Sequence, residues 1–245
     1  MNFIDLFADN PYTLEGACIA LLGGGGKTTL LHKLGLEFSF IFKRVLLSSL
    51  TQSEQSPGDQ VVDYETLSTA DFSGMFSSNR QIFVMHSGEK TEKLQGLTET
   101  ELQRLLRKSD ICLFECDGAR QLPLKAHLSK DPDVPTLTTH VIILVGADAV
   151  DTACCDGLIH RPQEFMRVWD TDESTPITAG LIAKVMTTQK GYLQKIRHKP
   201  KLIYFVNKWD RHPEKARLLA STLRRQCSHP VYYGTLKENL FFKAE

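Results

Sequence analysis

Leu21-Leu22-Gly23-Gly24-Gly25-Gly26-Lys27-Thr28-Thr29-Leu30 decides how the rest of the chain is read. Four consecutive glycines, a lysine and two threonines follow directly on an apolar run. Glycine turns tightly at positive φ and leaves its N–H open to an anion. A helix starting here aims its unsatisfied first-turn donors at the same point, Lys27 adds a full charge, and the Thr28 hydroxyl stands where a magnesium ligand is needed. Gly23, Gly24, Gly25, Gly26, Lys27, Thr28 and Thr29 are therefore the expected phosphate-binding set. The strict phosphate-loop pattern has glycine six residues ahead of the lysine, where this chain has Leu21, so a shortened loop is expected.

Working outward, Ala17 to Leu22 is a continuous apolar run, as expected of a buried parallel strand. From Thr28 the apolar residues Leu30, Leu31, Leu34, Phe38, Ile41 and Phe42 recur at helical spacing, and Val45 to Ser48 is the next strand. Strand, loop, helix and strand make the start of a right-handed parallel crossover. Ser49 to Asp59 reads as a loop at the carboxyl edge of the second strand, where Thr51 or a neighbour is in reach of a terminal phosphate. Gln81 to Met85 is a further strand, and Thr98-Glu99-Thr100-Glu101 opens a helix through Arg107 with a capping box.

Ile111-Cys112-Leu113-Phe114-Glu115-Cys116-Asp117-Gly118 is a buried strand ending in acids, the expected second half of a phosphate site. Asp117, followed by glycine, is the first candidate for holding magnesium and Glu115 the second. Arg120 and Lys125, just beyond, are placed to neutralise a transferring phosphoryl group or meet a small anionic substrate. Lys27, Asp117 and Arg120 form the expected catalytic set. Val141 to Asp148 is again an apolar strand, His160-Arg161-Pro162 is a candidate substrate or partner site together with Lys125, and Thr178 caps a helix through Met186.

Lys201 to Asp210 is a strand running directly into Asn207-Lys208-Trp209-Asp210, with a helix from Pro213 through Arg225. An aspartate in this place accepts from N1–H and the 2-amino group of guanine. Adenine offers it no such pair, so ATP leaves a carboxylate unpaired. The Lys208 stem can lie along the base, and Asn207 can tie neighbouring loops together. A last strand, Pro230 to Tyr233, leads into Gly234 to Lys237, where a backbone N–H is available to guanine O6.

The whole chain sets bounds on this reading. Its 245 residues suffice for one nucleotide-binding domain over 1–245, and Lys plus Arg equals Asp plus Glu at 29 each, which gives no global reason to expect nucleic acid or an anionic membrane. Acids near the N-terminus and the lack of a long apolar run point to a cytoplasmic protein. None of the six cysteines forms a CxxC pair, so neither a disulfide framework nor a zinc site is indicated, and adjacent Cys154 and Cys155 read as free thiols.

Together these pieces resemble the phosphate-loop GTPase class, and more narrowly the YqeC-like family of accessory proteins for selenium-dependent molybdenum hydroxylases. The resemblance rests on Gly23 to Thr29, Lys93-Leu94-Gln95-Gly96-Leu97, Glu115 to Arg120 with Pro123-Leu124-Lys125-Ala126, Val145-Gly146-Ala147-Asp148, His160-Arg161-Pro162 and Asn207 to Asp210. Ser48-Ser49-Leu50-Thr51 departs from the run of threonines expected of the family, and the Cys154-Cys155 pair is not expected there. The resemblance implies help in maturing a molybdenum hydroxylase that needs a labile selenium, with the hydroxylase or its cofactor-maturation proteins as partners. The expected fold is α/β, a three-layer sandwich on a mostly parallel sheet of the phosphate-loop NTPase type. The expected function is Mg2+-dependent binding and slow hydrolysis of GTP rather than ATP, completed by a partner or a homodimer, without nucleic acid or membrane. A small-molecule kinase with its acceptor at Lys125, His160 or Arg161, and a non-catalytic nucleotide-gated binding module, are the alternatives.

Overall fold

The structure, a computed structural model, describes residues 2–7, 10–52, 61–67, 71–77, 79–88 and 93–245. Most of the loop expected over Ser49 to Asp59 lies outside the described residues. The apolar runs become strands β1 (Cys18–Gly23), β2 (Val45–Ser49), β3 (Val61–Asp63), β4 (Gln81–Met85), β5 (Ile111–Glu115), β6 (Leu124–Lys125), β7 (His140–Gly146), β8 (Ile159–His160), β9 (Lys201–Asn207), β10 (Val231–Thr235) and β11 (Leu240–Lys243). Nine of them form one sheet in the order β11-β10-β9-β7-β1-β5-β2-β4-β3. All neighbours are parallel except β10 and β11, and β6 and β8 pair separately.

The runs are continuous because the central strands are covered on both faces. In β1, Cys18, Ala20 and Leu22 point into one core while Ile19 and Leu21 point into the other. Helix α1 (Lys27–Ser39) buries Leu30, Leu31, Leu34 and Phe38 in the second core. The first core receives α3 (Glu99–Leu106), α5 (Ala179–Thr187) and α6 (Pro213–Gln226), with Phe165 of α4 (Pro162–Trp169). A short α2 (Asp71–Met75) lies between β3 and β4 in the chain. This is the expected three-layer, mostly parallel α/β architecture of the phosphate-loop NTPase type.

Local signals behave as their chemistry requires. Thr98 and Glu101 form both halves of the capping box on α3, and the Thr178 hydroxyl accepts from Leu181 N–H at the start of α5. Helix α1 stops at Ser39, short of the apolar spacing that continues to Phe42, because Phe40 N–H turns back to Glu37 and Phe38 carbonyls. Cys154 is buried and Cys155 exposed, so the adjacent thiols face different surroundings. Among the described residues no helix is long and apolar enough to cross a membrane.

Candidate functional site

The site gathers at the carboxyl edge of the sheet, where β1, β5, β7 and β9 all end. Gly24, Gly25 and Gly26 join β1 to α1, so the connection is as short as the sequence implies. Gly25 has φ 78°, and a Cβ there would lie 2.3 Å from the Gly146 nitrogen. Gly26 has φ 125°, and a Cβ there would lie 2.7 Å from Asn207 Nδ2. Neither position accepts a larger residue without moving backbone or a bonded side chain.

The loop spends two of its donors internally. Gly24 N–H bonds Leu144 O at 3.0 Å, and Gly25 N–H bonds Leu122 O at 3.0 Å. The donors left for an anion are those that every helix start leaves unsatisfied, in the first turn of α1. Lys27 is buried and folded back: its Nζ donates to Gly23 O at 2.5 Å and lies 3.3 Å from Asp117 Oδ1.

The two acids of the β5 end stand in different surroundings. The Thr28 hydroxyl donates to Glu115 Oε1 at 2.6 Å, bringing two side-chain oxygens together at the foot of the helix. Asp117 is fully buried, accepting from Gly23 N–H at 3.1 Å and His127 Nε2 at 2.8 Å, with Lys125 Nζ 3.3 Å from Oδ2, the oxygen that Lys27 does not face. Burial alone would raise its carboxyl, but Lys27 and Lys125 outweigh it and hold it well below the usual carboxylate range. The same burial pushes the His127 imidazole down, so a neutral ring donates through Nε2–H to Asp117. Glu115 is thus the carboxylate beside Thr28, while Asp117, the first of the two acids in the sequence reading, is engaged by Lys27, Lys125, His127 and Gly23 N–H.

Behind Asp117 the polar chain continues. Lys125, also fully buried, donates to Gly118 O at 2.8 Å and lies 3.5 Å from Asp131 Oδ2. Arg161 grips both oxygens of Asp131, at 2.5 and 2.8 Å. Burial opposes ionisation of Asp131, yet Arg161 and the Leu128 N–H bring its carboxyl down to about 2. His160 pairs with Lys125 in the β6–β8 register, and burial followed by the charges of Arg161, Lys125 and Arg120 lowers it to about 4. Lys125 and Arg161 are thus members of one ion network with Lys27, and neither presents an unpaired charge. Arg120 is exposed, at φ 47°, and makes no hydrogen bond or ion pair among the described residues.

On the other side, Asn207 does what its place in the sequence suggests. Its Nδ2 donates to Gly25 O at 2.7 Å and its Oδ1 accepts from Leu236 N–H at 3.0 Å, fastening the phosphate loop to the segment after β10. Lys208 pairs with Asp148, and Trp209 packs against Phe242 of β11 with ring centroids 5.3 Å apart. Asp210 is partly buried, and among the described residues its one ion pair is with Arg211, at 4.0 Å. Thr51 Oγ1 lies 3.8 Å from a Cβ built on Gly118, so that hydroxyl does reach the acid segment. Thr29 is exposed on the first turn of α1.

His127, Asp131, Asp148 and Tyr192 were not singled out as site residues from sequence. Tyr192, whose hydroxyl accepts from Lys125 N–H at 3.1 Å and whose ring meets His127 edge-on, arrives from a distant short helix. A signal for His127 was present: two residues from Lys125 in an extended segment, it shares that lysine's face.

A parallel sheet whose central strand passes through a glycine loop into a lysine-bearing helix, beside a strand ending in acids, defines a phosphate-loop protein. The family model described as YqeC protein matches residues 19–163, and the chain belongs to that family. It is 27% identical over 214 residues to the uncharacterized protein YqeC of Escherichia coli (strain K12), covering 84% of this chain and 80% of that protein. Among solved structures, hydrogenase maturation factor HypB from Archaeoglobus fulgidus is similar at 13% identity and TM-score 0.45, over 91% of this chain and 83% of that one.

Proposed function

We propose that the protein binds GTP with Mg2+ at the α1 N-terminus and hydrolyses it slowly, as an accessory factor in maturing a selenium-dependent molybdenum hydroxylase. The observation that carries the nucleotide half is the Asn207 bridge. One side chain joins the phosphate loop at Gly25 to the base-side segment at Leu236, so both halves of a nucleotide site are set in one rigid relation. The hydroxylase half is supported by the family resemblance.

On this reading the first-turn N–H groups of α1 receive the phosphates, and Lys27 leaves Gly23 O to meet them. Thr28 and Glu115 fit a hard cation that takes oxygen ligands and keeps water or phosphate in its other positions. Bound magnesium would neutralise phosphate charge. Asp117 serves as the anchor from which Lys27 is released, rather than as a metal ligand. Asp210 accepts from guanine. Turnover is slow in the isolated chain because Lys27 and Lys125 both start engaged with Asp117, and a partner completes the site.

Calorimetry with GTP and ATP plus magnesium on wild type, Lys27→Ala and Asp210→Asn tests the nucleotide half. GTP is expected to bind wild type more tightly than ATP, and Asp210→Asn to erase that preference. Equal affinities in wild type would refute the guanine assignment. For the partner half, hydroxylase activity in cells lacking this protein should return with wild type and not with Lys27→Ala.

A further inference from the structure

Val145-Gly146-Ala147-Asp148 is a motif to which the nucleotide reading above gives no task. We propose that Asp148 is a positioning residue for the base side of the site: it fixes the Lys208 ammonium so that the lysine stem is laid in place before nucleotide arrives, and guanine preference depends on it. The proposal rests on the GTP reading and deepens it.

Three observations carry it. Asp148 lies in the turn Ala147–Ala149 at the end of β7, the strand between β1 and β9, and so stands between the phosphate loop and Asn207 to Asp210. Its Oδ2 meets Lys208 Nζ at 2.5 Å, while the Lys208 backbone sits at φ 70°. A lysine in the left-handed region is uncommon, and it persists where its surroundings hold it. Here the Asp148 carboxylate holds the side chain, while Trp209 N–H bonds Gly234 O at 2.9 Å and His212 N–H bonds Lys208 O at 3.0 Å.

Asp148 Oδ1 is buried and has no hydrogen-bond partner among the described residues. It rests over Gly146, where a Cβ would lie 2.3 Å from it. Gly146 is therefore required twice, by the Asp148 carboxylate above it and by Pro123, whose Cβ would lie 2.7 Å from the added atom, which accounts for the glycine of the motif. A merely structural ion pair of this kind, with side chains 18% and 32% exposed, would affect stability a little and ligand choice not at all.

The test uses the full chain and three probes: GTP, ATP and inorganic tripolyphosphate, each with magnesium, titrated into wild type, Asp148→Asn, Lys208→Met and the double variant. Asp148→Asn is expected to weaken GTP by about fivefold or more, with ATP and tripolyphosphate changing by less than about twofold. Lys208→Met should lower the GTP to ATP ratio likewise, and the double variant should add nothing. An unchanged ratio, or an equal loss for tripolyphosphate, would overturn the proposal, the latter because Asp148 would then act on the phosphate loop through Gly146. Should Asp148→Asn fail to fold, Lys208→Met probes the same bracket from its other end. Wild type binding GTP no better than ATP would instead refute the guanine reading, and this proposal with it.

Discussion

Lys125→Met is expected to cost about 3 kcal/mol of folding stability, and the figure follows from what the ammonium touches. It donates to Gly118 O at 2.8 Å and lies 3.3 and 3.5 Å from carboxylate oxygens of Asp117 and Asp131. Methionine keeps most of the stem's volume, so packing changes little and the loss is electrostatic. Breaking a buried pair by removing one partner costs about 3–5 kcal/mol. The lower end applies because Asp117 keeps Lys27 at 3.3 Å and His127 at 2.8 Å, and Asp131 keeps Arg161. Urea unfolding should show the midpoint falling at unchanged slope. A loss under about 1 kcal/mol, the size of an exposed pair, would refute the reading of this network as buried and mutually dependent. The same variant carries a functional consequence. With Lys125 gone, Asp117 has one lysine left, and a phosphate that draws Lys27 away strands the carboxylate. Tripolyphosphate should therefore bind about tenfold more weakly to Lys125→Met than to wild type, a coupling of ordinary size between linked sites. Equal affinity would show that Lys27 does not leave Asp117 on binding.

Asn207→Ala leaves Gly25 O and Leu236 N–H without partners in a buried place, for an expected loss of about 2–4 kcal/mol on thermal or urea unfolding and a weakened hold on nucleotide. Gly25→Ala is expected to abolish nucleotide binding in any protein that folds, since the added Cβ meets backbone at 2.3 Å and φ is 78°; retention of affinity in a titration would contradict this. Asp131 is depressed from its ordinary 3.8 to about 2, so its contribution is complete above pH 4 and is lost as pH falls from about 4 to 2. Arg161→Met should flatten that part of the stability profile, and its gap from wild type, about 1–2 kcal/mol at pH 6, should close by pH 2. Thr28→Val removes the hydroxyl from Glu115 and should raise the magnesium concentration needed for nucleotide binding by about tenfold, read by titrating magnesium at fixed GTP.

The parts legible in the sequence are those whose chemistry is local. Six apolar residues end in glycine because β1 is covered on both faces and must turn at once, and Thr98 with Glu101 is a helix start whatever surrounds it. Asn207 was legible as a tie between loops because an amide offers a donor and an acceptor in one side chain. The surroundings of Asp117 were not legible, since Lys125 and His127 reach it, with Asp131 behind Lys125, from a connection punctuated by Pro123, Pro132 and Pro135 that has no period to read. β6 and β8 are two residues each, too short for any pattern, yet they align Lys125 with His160. β11 is four residues long and gains its place from pairing with β10 rather than from its own sequence. Which of Asp117 and Glu115 the Thr28 hydroxyl meets was not legible either, because sequence order says nothing about it.

The short glycine loop joins the acid segment to the phosphate site mechanically. Gly25 N–H is held by Leu122 O, and Leu122 follows Arg120 and Gln121, two consecutive non-glycine residues at φ 47° and 62°. Such a turn is kept only while its ends are fixed. One end is the Asp117 anchor, which accepts from Gly23 N–H; the other is Pro123, whose carbonyl accepts from Gly146 N–H at 3.2 Å. The loop, the acid segment and the Gly-Ala-Asp turn therefore share hydrogen bonds around one small ring of backbone. On the proposed function, an anion that draws Lys27 off Asp117 would weaken the anchor of that turn, and with it the bond that occupies Gly25 N–H. The Gly25 donor spent on Leu122 O is in this way the means by which the loop is tied to the segment that leads on to Lys125 and Asp131.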